Sequence, residues 1–335
     1  MAKKKAVRSK AQTKADPDII LITSPDRLKS VMDVISFFVI DVTVHVRKKA
    51  LEIVATDSSR VGMVVANLNP GFFTTYHVPG AQSITINIDD LGKILKRKGK
   101  ANSVELRYKL KDADKSLHVA FKTKGRAPRR FKMKTLANPA SKMDADEAEQ
   151  YENLRSSAEQ FMEMIKKEKG IYFEILVESL EMIVKDALIV DEILQFNMDK
   201  DMKTLSISSY SEMGEQETVF DPSCEDLLEF EVEATGLVHY SVSFLENILQ
   251  AKALTDVFKM KTSPERPMLI EIDIQPESDK LTTEPGNINY IIAPRVKEDF
   301  DPNADFNIED IDDEIDDEAG AMTEEELVEN LQEAG

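Results

Sequence analysis

One cysteine, Cys224, stands in 335 residues, so no internal disulfide can form and the fold must rest on an apolar core and hydrogen bonds. No basic or histidine neighbour activates that thiol, which reads as an inert side chain. The four histidines, His45, His77, His118 and His239, are dispersed without metal-ligand spacing. A phosphate-cradling glycine loop is missing, as is any nucleophile motif with a supporting base. No apolar run approaches the ~18 residues of a membrane span. The first residues are charged where a secretory signal would be apolar. Membranes, cofactors and a catalytic centre are therefore not expected. The one enzymatic alternative is a carboxylate, metal-dependent nuclease or phosphatase. Its best acids, Asp57 and Asp89-Asp90, sit at a turn and a helix start where capping already accounts for them.

What is present is 42% hydrophobic residues, enough for real cores, and a net charge of −19 that is unevenly spread. Residues 1–14 carry six basic groups and no acid, whereas 298–335 carry seventeen acids and no Lys or Arg. Without both ends the body is only mildly acidic, so one basic face on it remains compatible with a polyanion.

The chain contains itself twice. At an offset of 154, ITINIDDLGKILK at 84–96 recurs as VHYSVSFLENILQ at 238–250, with Leu91, Ile94 and Leu95 matched by Leu245, Ile248 and Leu249. Leu51 and Ile53 recur as Leu205 and Ile207, and the strand 104–108 falls against 258–262. At 152, the helical run from Leu28 meets one from Leu180. Each half reads as helix, strands, helix, strands, an α+β unit with its helices on one face. In the first half the spacing predicts a helix opening at Ser24-Pro25 and strands at 45–55 and 61–68. A helix at 89–98 and strands at 103–109, 117–123 and 130–136 follow. Between the halves, Tyr151, Leu154, Ala158, Phe161 and Ile165 form a helical apolar stripe within 144–169.

The helix from Asp89 holds the most selective charge pattern. Leu91, Ile94 and Leu95 make its core stripe, while Lys93, Lys96, Arg97 and Lys100 share the opposite face. In an acidic body such a face suits phosphate contacts that ignore base sequence.

DSSRVGMV at 57–64, DDLGKILKRKG at 89–99 and IIAPRV at 291–296, taken with the duplication, resemble the proliferating cell nuclear antigen (PCNA) family, particularly its archaeal members. The resemblance implies a non-enzymatic DNA sliding clamp: two similar domains per chain, with three chains closing a six-domain ring. It divides the chain into a basic arm (1–18), a first domain (19–136), a connector (137–170), a second domain (171–298) and an acidic tail (299–335), where Thr323 and Glu326 could cap a short helix. It implies that Arg27, Lys29, Lys93, Lys96, Arg97 and Lys100 face duplex DNA, joined in the second half by Lys185 and Lys252, where Glu181 and Asp186 weaken the field. It implies a groove of Val61, Met63, Pro267, Ile291, Ile292, Ala293 and Pro294 for short peptides of polymerase, clamp loader, nuclease and ligase. Subunit edges would run through Arg130, Phe131, Lys132, Met133 and Lys134 and through Leu205, Ile207 and Ser209. The expected setting is intracellular, cytoplasm or nucleoid for an archaeal chain and nucleus for a eukaryotic one. A heterotrimeric replication clamp or a checkpoint-type clamp would keep the same fold.

Overall fold

In the computed structural model, which describes residues 18–59, 61–110, 114–136, 145–277 and 283–295, Pro25 opens the first helix after an extended Ser24. The locked φ of proline suits that first position. The first half comprises β1 (Ile19–Thr23), α1 (Pro25–Ser36), β2 (Asp41–Val46), β3 (Leu51–Thr56), β4 (Gly62–Leu68), β5 (Thr75–His77), β6 (Gln82–Asn87), α2 (Ile88–Leu95), β7 (Ser103–Tyr108), β8 (Ser116–Lys122) and β9 (Arg129–Lys134). A connector helix, α3 (Ala145–Lys167), leads to the second half. That half comprises β10 (Ile171–Leu176), α4 (Val177–Val190), β11 (Ile193–Asp199), β12 (Thr204–Ser211), β13 (Gly214–Phe220), β14 (Leu227–Val232), β15 (Gly236–Ser241), α5 (Val242–Ile248), β16 (Val257–Thr262), β17 (Met268–Asp273) and β18 (Gly286–Ile292). The basic arm and the acidic tail with its capping box lie outside the described residues, Asp18 excepted.

The two halves repeat strand for strand. The sheet β5-β1-β7-β8-β9 of the first half has its counterpart in β14-β10-β16-β17-β18 of the second. Likewise β4-β3-β2-β6 corresponds to β13-β12-β11-β15. Inside the chain two of these four units fuse, because β18 pairs with β4 and makes one nine-stranded sheet. The junction runs antiparallel from Gly286↔Leu68 to Ile292↔Gly62, and Ala293 N–H extends it by donating to the Val61 carbonyl at 2.7 Å. Gly286 is required there: at φ +125° an added Cβ would lie 1.9 Å from the Asn67 carbonyl oxygen.

Strand alternation sorts side chains between two layers. Val64, Ala66 and Leu68 of β4 and Ile288, Tyr290 and Ile292 of β18 face the main core, which α1, α2, α4 and α5 cover. Val65 and Ile291 face the opposite side, where α3 lies.

The expected strand at 45–55 is two strands. Arg47 N–H donates to the Ala50 carbonyl at 2.9 Å, and Lys48 and Lys49 are exposed in the turn. A continuous strand would turn one of those adjacent lysines into the core, so the chain reverses there instead. The second helix is also shorter than expected. Asn87 caps its start by accepting from Asp90 N–H, and regular helix ends at Leu95. Lys96, Arg97 and Lys98 continue in a tighter turn that closes at Gly99, φ +58°.

Candidate functional site

Four helices form one continuous layer. α1 packs on α2, α4 on α5, and α1 also meets the short 3-10 turn Leu249–Ala253 of the second half. Apolar spacing turns Leu28, Val31, Met32 and Ile35 of α1 and Leu91 and Leu95 of α2 inward, which leaves the charged positions outside. The eight expected cationic residues all lie in this layer, but they are not equivalent. Arg27 is half-buried over the Phe72 ring, 5.2 Å from its centroid, and donates to the Gln275 carbonyl at 2.6 Å. Burial pulls its pKa down from the ordinary arginine value. Lys29 is engaged by Asp33 and Lys93 by Asp90, both on their own helices. Lys96, Arg97 and Lys100 are exposed and make no ion pair among the described residues. The free positive charge thus concentrates at the C-terminal end of α2, where the helix dipole also favours it.

The second half differs in sign. Lys185 and Lys252 both reach the same carboxylate, Glu181, at 2.8 and 2.9 Å, and these bonds hold its pKa below the usual range. Exposed Glu178, Asp186 and Glu246 add negative charge beside them.

On the opposite side of the nine-stranded sheet, α3 crosses β3, β4, β18 and β17. Its stripe Ala158, Met162 and Ile165 buries against Val65, Leu269 and Ile291, with Val54, Met63 and Phe161 at the margin. Two expected groove residues, Met63 and Ile291, therefore lie at or under this helix. Val61, Pro267, Ala293 and Pro294 are half-buried near the same strand ends. Ile292 does not belong with them: it is fully buried on the opposite face, because neighbours along a strand point to opposite sides.

A buried carboxylate anchors the N-terminal part of α3. Glu52, 6% exposed, accepts from Arg155 at 2.8 Å, from Arg47 at 3.0 Å and from the Tyr151 hydroxyl at 3.3 Å. The His45 ring stacks on Tyr151 with centroids 3.5 Å apart, and its Nδ1 lies 3.0 Å from the Ser83 hydroxyl. Burial, reinforced by the Arg47 charge and opposed by Glu152, drives the His45 pKa down to about 4. The folded chain then refuses a proton that the unfolded chain takes near 6.5. Stability is expected to be level above pH 7, to fall as pH drops from 6.5 toward 4, and to flatten below that, by at most about 3 kcal/mol from this group. Urea midpoints of the wild type and His45→Gln across that window measure it; the variant should lose this part of the slope.

The expected interface strands fare unequally. β9 is a sheet edge, with Arg129, Arg130, Lys132 and Lys134 exposed and Phe131 and Met133 turned inward. β12 is not an edge, because it pairs with β11 on one side and β13 on the other. Leu205, Ile207 and Ser209 are buried within it. The open edge is β13, whose Glu215 and Glu217 are exposed. Its sequence signal was the turn glycine Gly214 (φ +149°) followed by alternating residues up to Phe220. Composition also did not disclose the exposed Leu188 and Ile189 at the end of α4, which packs beside β13.

Among the described residues no group of three His, Cys, Asp or Glu is placed to hold a metal, and no helix is long and apolar enough to cross a membrane. Residues 22–146 match the family model of the proliferating cell nuclear antigen N-terminal domain. The chain is similar to the DNA polymerase sliding clamp of Pyrococcus horikoshii, 27% identical over 76% of this chain and 88% of that one. It is similar to that of Pyrococcus furiosus, 26% identical over 84% and 100%. A crystal structure of PCNA from Thermococcus kodakaraensis superposes with a TM-score of 0.64, 20% identity, and coverage of 83% and 100%, a likeness of fold.

Proposed function

We propose, from the match of residues 22–146 to the PCNA N-terminal domain and the likeness to archaeal sliding clamps over most of the chain, that this chain belongs to that family and is a DNA sliding clamp. It is a processivity factor and not an enzyme: its work is topological. Copies of the chain close into a ring around duplex DNA, the helix layer lines the hole, and screened phosphate contacts let the ring slide. Polymerase, clamp loader, nuclease and ligase are tethered from outside through short peptides whose apolar side chains anchor near Val61, Pro267, Ala293 and Pro294.

One observation supports the ring above the others. The intrachain junction β18–β4 joins the same two kinds of edge that remain open at β9 and β13. A second chain can continue the sheet by repeating that junction head to tail, and such heterologous contacts close into a ring. Transferring the register strand by strand sets Arg130 opposite Glu217 and Lys132 opposite Glu215 on the neighbouring copy. Because both complementary edges belong to one chain, self-assembly is favoured over a heterotrimer or a checkpoint-type clamp. Sedimentation at several protein concentrations is the test. A species of three times 37.7 kDa, about 113 kDa, is expected. A symmetric dimer would overturn the ring, since two such chains would not supply six domains.

A further inference from the structure

We propose that the basic patch where α2 ends is the docking surface for the chain's own acidic segment, residues 298–335, which competes there with DNA. The competition rests on the clamp reading; the contact itself does not. Around Gly99 the end of α2 presents Lys96, Arg97 and Lys100, all exposed. The turn between β8 and β9 brings two more exposed cations, Lys124 and Arg126, beside them. Two bonds fix that turn against the end of the helix. Asn102 Oδ1 accepts from Lys124 N–H at 3.2 Å, and the Arg129 guanidinium donates to the Lys98 carbonyl. None of the five cations makes an ion pair among the described residues, and Asp26, close by, is engaged by Lys98.

The charge that balances this patch lies in the same chain. Residues 298–335 hold seventeen acids and no Lys or Arg, nearly the whole net charge of −19. Such a segment resembles a nucleic acid in what it needs: closely spaced cations rather than a shaped pocket. The second half of the helix layer serves it poorly, because Lys185 and Lys252 already share Glu181. Segment and patch belong to one molecule, so their encounter is intramolecular and pairs that are weak singly suffice.

Where the described chain stops sets the reach. Ala293 N–H donates to the Val61 carbonyl, and next to it Gly62 packs against the rings of Phe38, just past α1, and Phe244 of α5. Arg295 N–H then donates to the His239 carbonyl at 2.8 Å, and its side chain pairs at 3.1 Å with Glu192, just past α4. The chain thus passes 295 at the end of the helix layer where α1 and α4 stop and α5 starts. α2 starts at that end too, since Ile88 N–H donates to the Ile40 carbonyl at 2.8 Å. The patch lies at the other end of α2, ~18 Å away along residues 88–99. The forty residues 296–335 span up to ~130 Å when extended, several times that distance. The shortest route to the patch follows the helix layer, the face that the clamp reading gives to the duplex, so segment and DNA contend for it.

The test uses the full chain with all seventeen acids of 298–335 changed to Asn or Gln, and a fluorescent synthetic peptide copying 298–335. Circular dichroism and native mass are checked first; if this neutral-tail chain does not fold, changing only the acids of 298–318 serves instead. At low salt the neutral-tail chain is expected to bind the peptide roughly tenfold more tightly than the wild type, whose patch is already occupied. Changing Lys96, Arg97, Lys100, Lys124 and Arg126 to Ala in the neutral-tail chain should abolish that binding. No binding by the neutral-tail chain overturns the contact. So does binding that survives the five changes; if it is then lost when Lys3, Lys4, Lys5, Arg8, Lys10 and Lys14 are changed, the segment belongs to the basic arm instead. Without peptide, the neutral-tail chain should hold closed circular DNA roughly tenfold more tightly than the wild type at low salt and lose that advantage at high salt. Equal retention by the two chains overturns the competition. Retention by neither sinks the clamp reading, while the contact is judged by the peptide alone.

Discussion

Changing Arg130 and Lys132 together to Glu is expected to split the proposed ring into 37.7 kDa chains. In the register carried over from β18–β4, both side chains stand opposite an acid of the next copy, Glu217 and Glu215, on the outer face of the joined sheet. Cross-strand charge pairs on an exposed face contribute little singly, but reversal replaces two attractions by two repulsions at every junction. The expected cost is about 2–4 kcal/mol per junction, roughly a 30- to 700-fold weakening. Neither side chain supports its own subunit's core: both are exposed, and Phe131 and Met133 do the inward packing. The variant chain should therefore remain folded, with an unchanged circular dichroism spectrum. The partner variant Glu215→Lys with Glu217→Lys should fail alone and restore a trimer in a chain that carries all four changes. A ring that survives the first double change at low concentration and high salt would remove the charge argument. Failure of the fourfold variant to recover would instead mean the register is wrong by a residue or more, because a one-residue slip turns these side chains to the other face.

Replacing Lys96, Arg97 and Lys100 by Ala is expected to remove most DNA retention while leaving the proposed trimer intact. These three are cations of the helix layer that make no ion pair among the described residues, and they lie beyond the last regular turn of α2. Removing one cation from a phosphate lowers the slope of log affinity against log salt by ~0.9, so several removals per ring should cost on the order of 100-fold at moderate salt. The matching change of Lys185 and Lys252 should cost only about threefold, since both already share Glu181 and stand among further acids. Filter binding to a closed circle across a salt series reads both effects. If the second-half pair proved as costly as the α2 set, the duplex would contact all six domains alike and the asymmetry drawn from Glu178, Asp186 and Glu246 would be wrong.

Local pattern made much of this readable along the chain. The Ser24-Pro25 helix start, the apolar stripes of α1, α2 and α3 and the basic end of α2 depend on spacings within a few residues, and the duplication shows as the same spacings recurring 152–154 positions on. Periodicity reports such spacings directly. Partnership between distant strands does not leave that trace. The turn at Gly214 hints at a hairpin after β12 but not that β13 takes the open edge, and Ile291 and Ile292 look equally suited to a surface groove until β17 and β4 pair on either side of β18. Two adjacent lysines at 48 and 49 weigh little in an apolar window, yet they reverse the chain. The stripe on α3 announced a buried face without naming its seat, because the five strand residues that meet it come from β3, β4, β17 and β18. Residue pattern alone specified which helices form, that the fold is built twice, and which helix carries a basic face; which of its cations stay free was decided by ion pairs in the folded chain. Which edges stay open and what α3 covers were set by folding, since both follow from pairings between residues up to more than 200 positions apart.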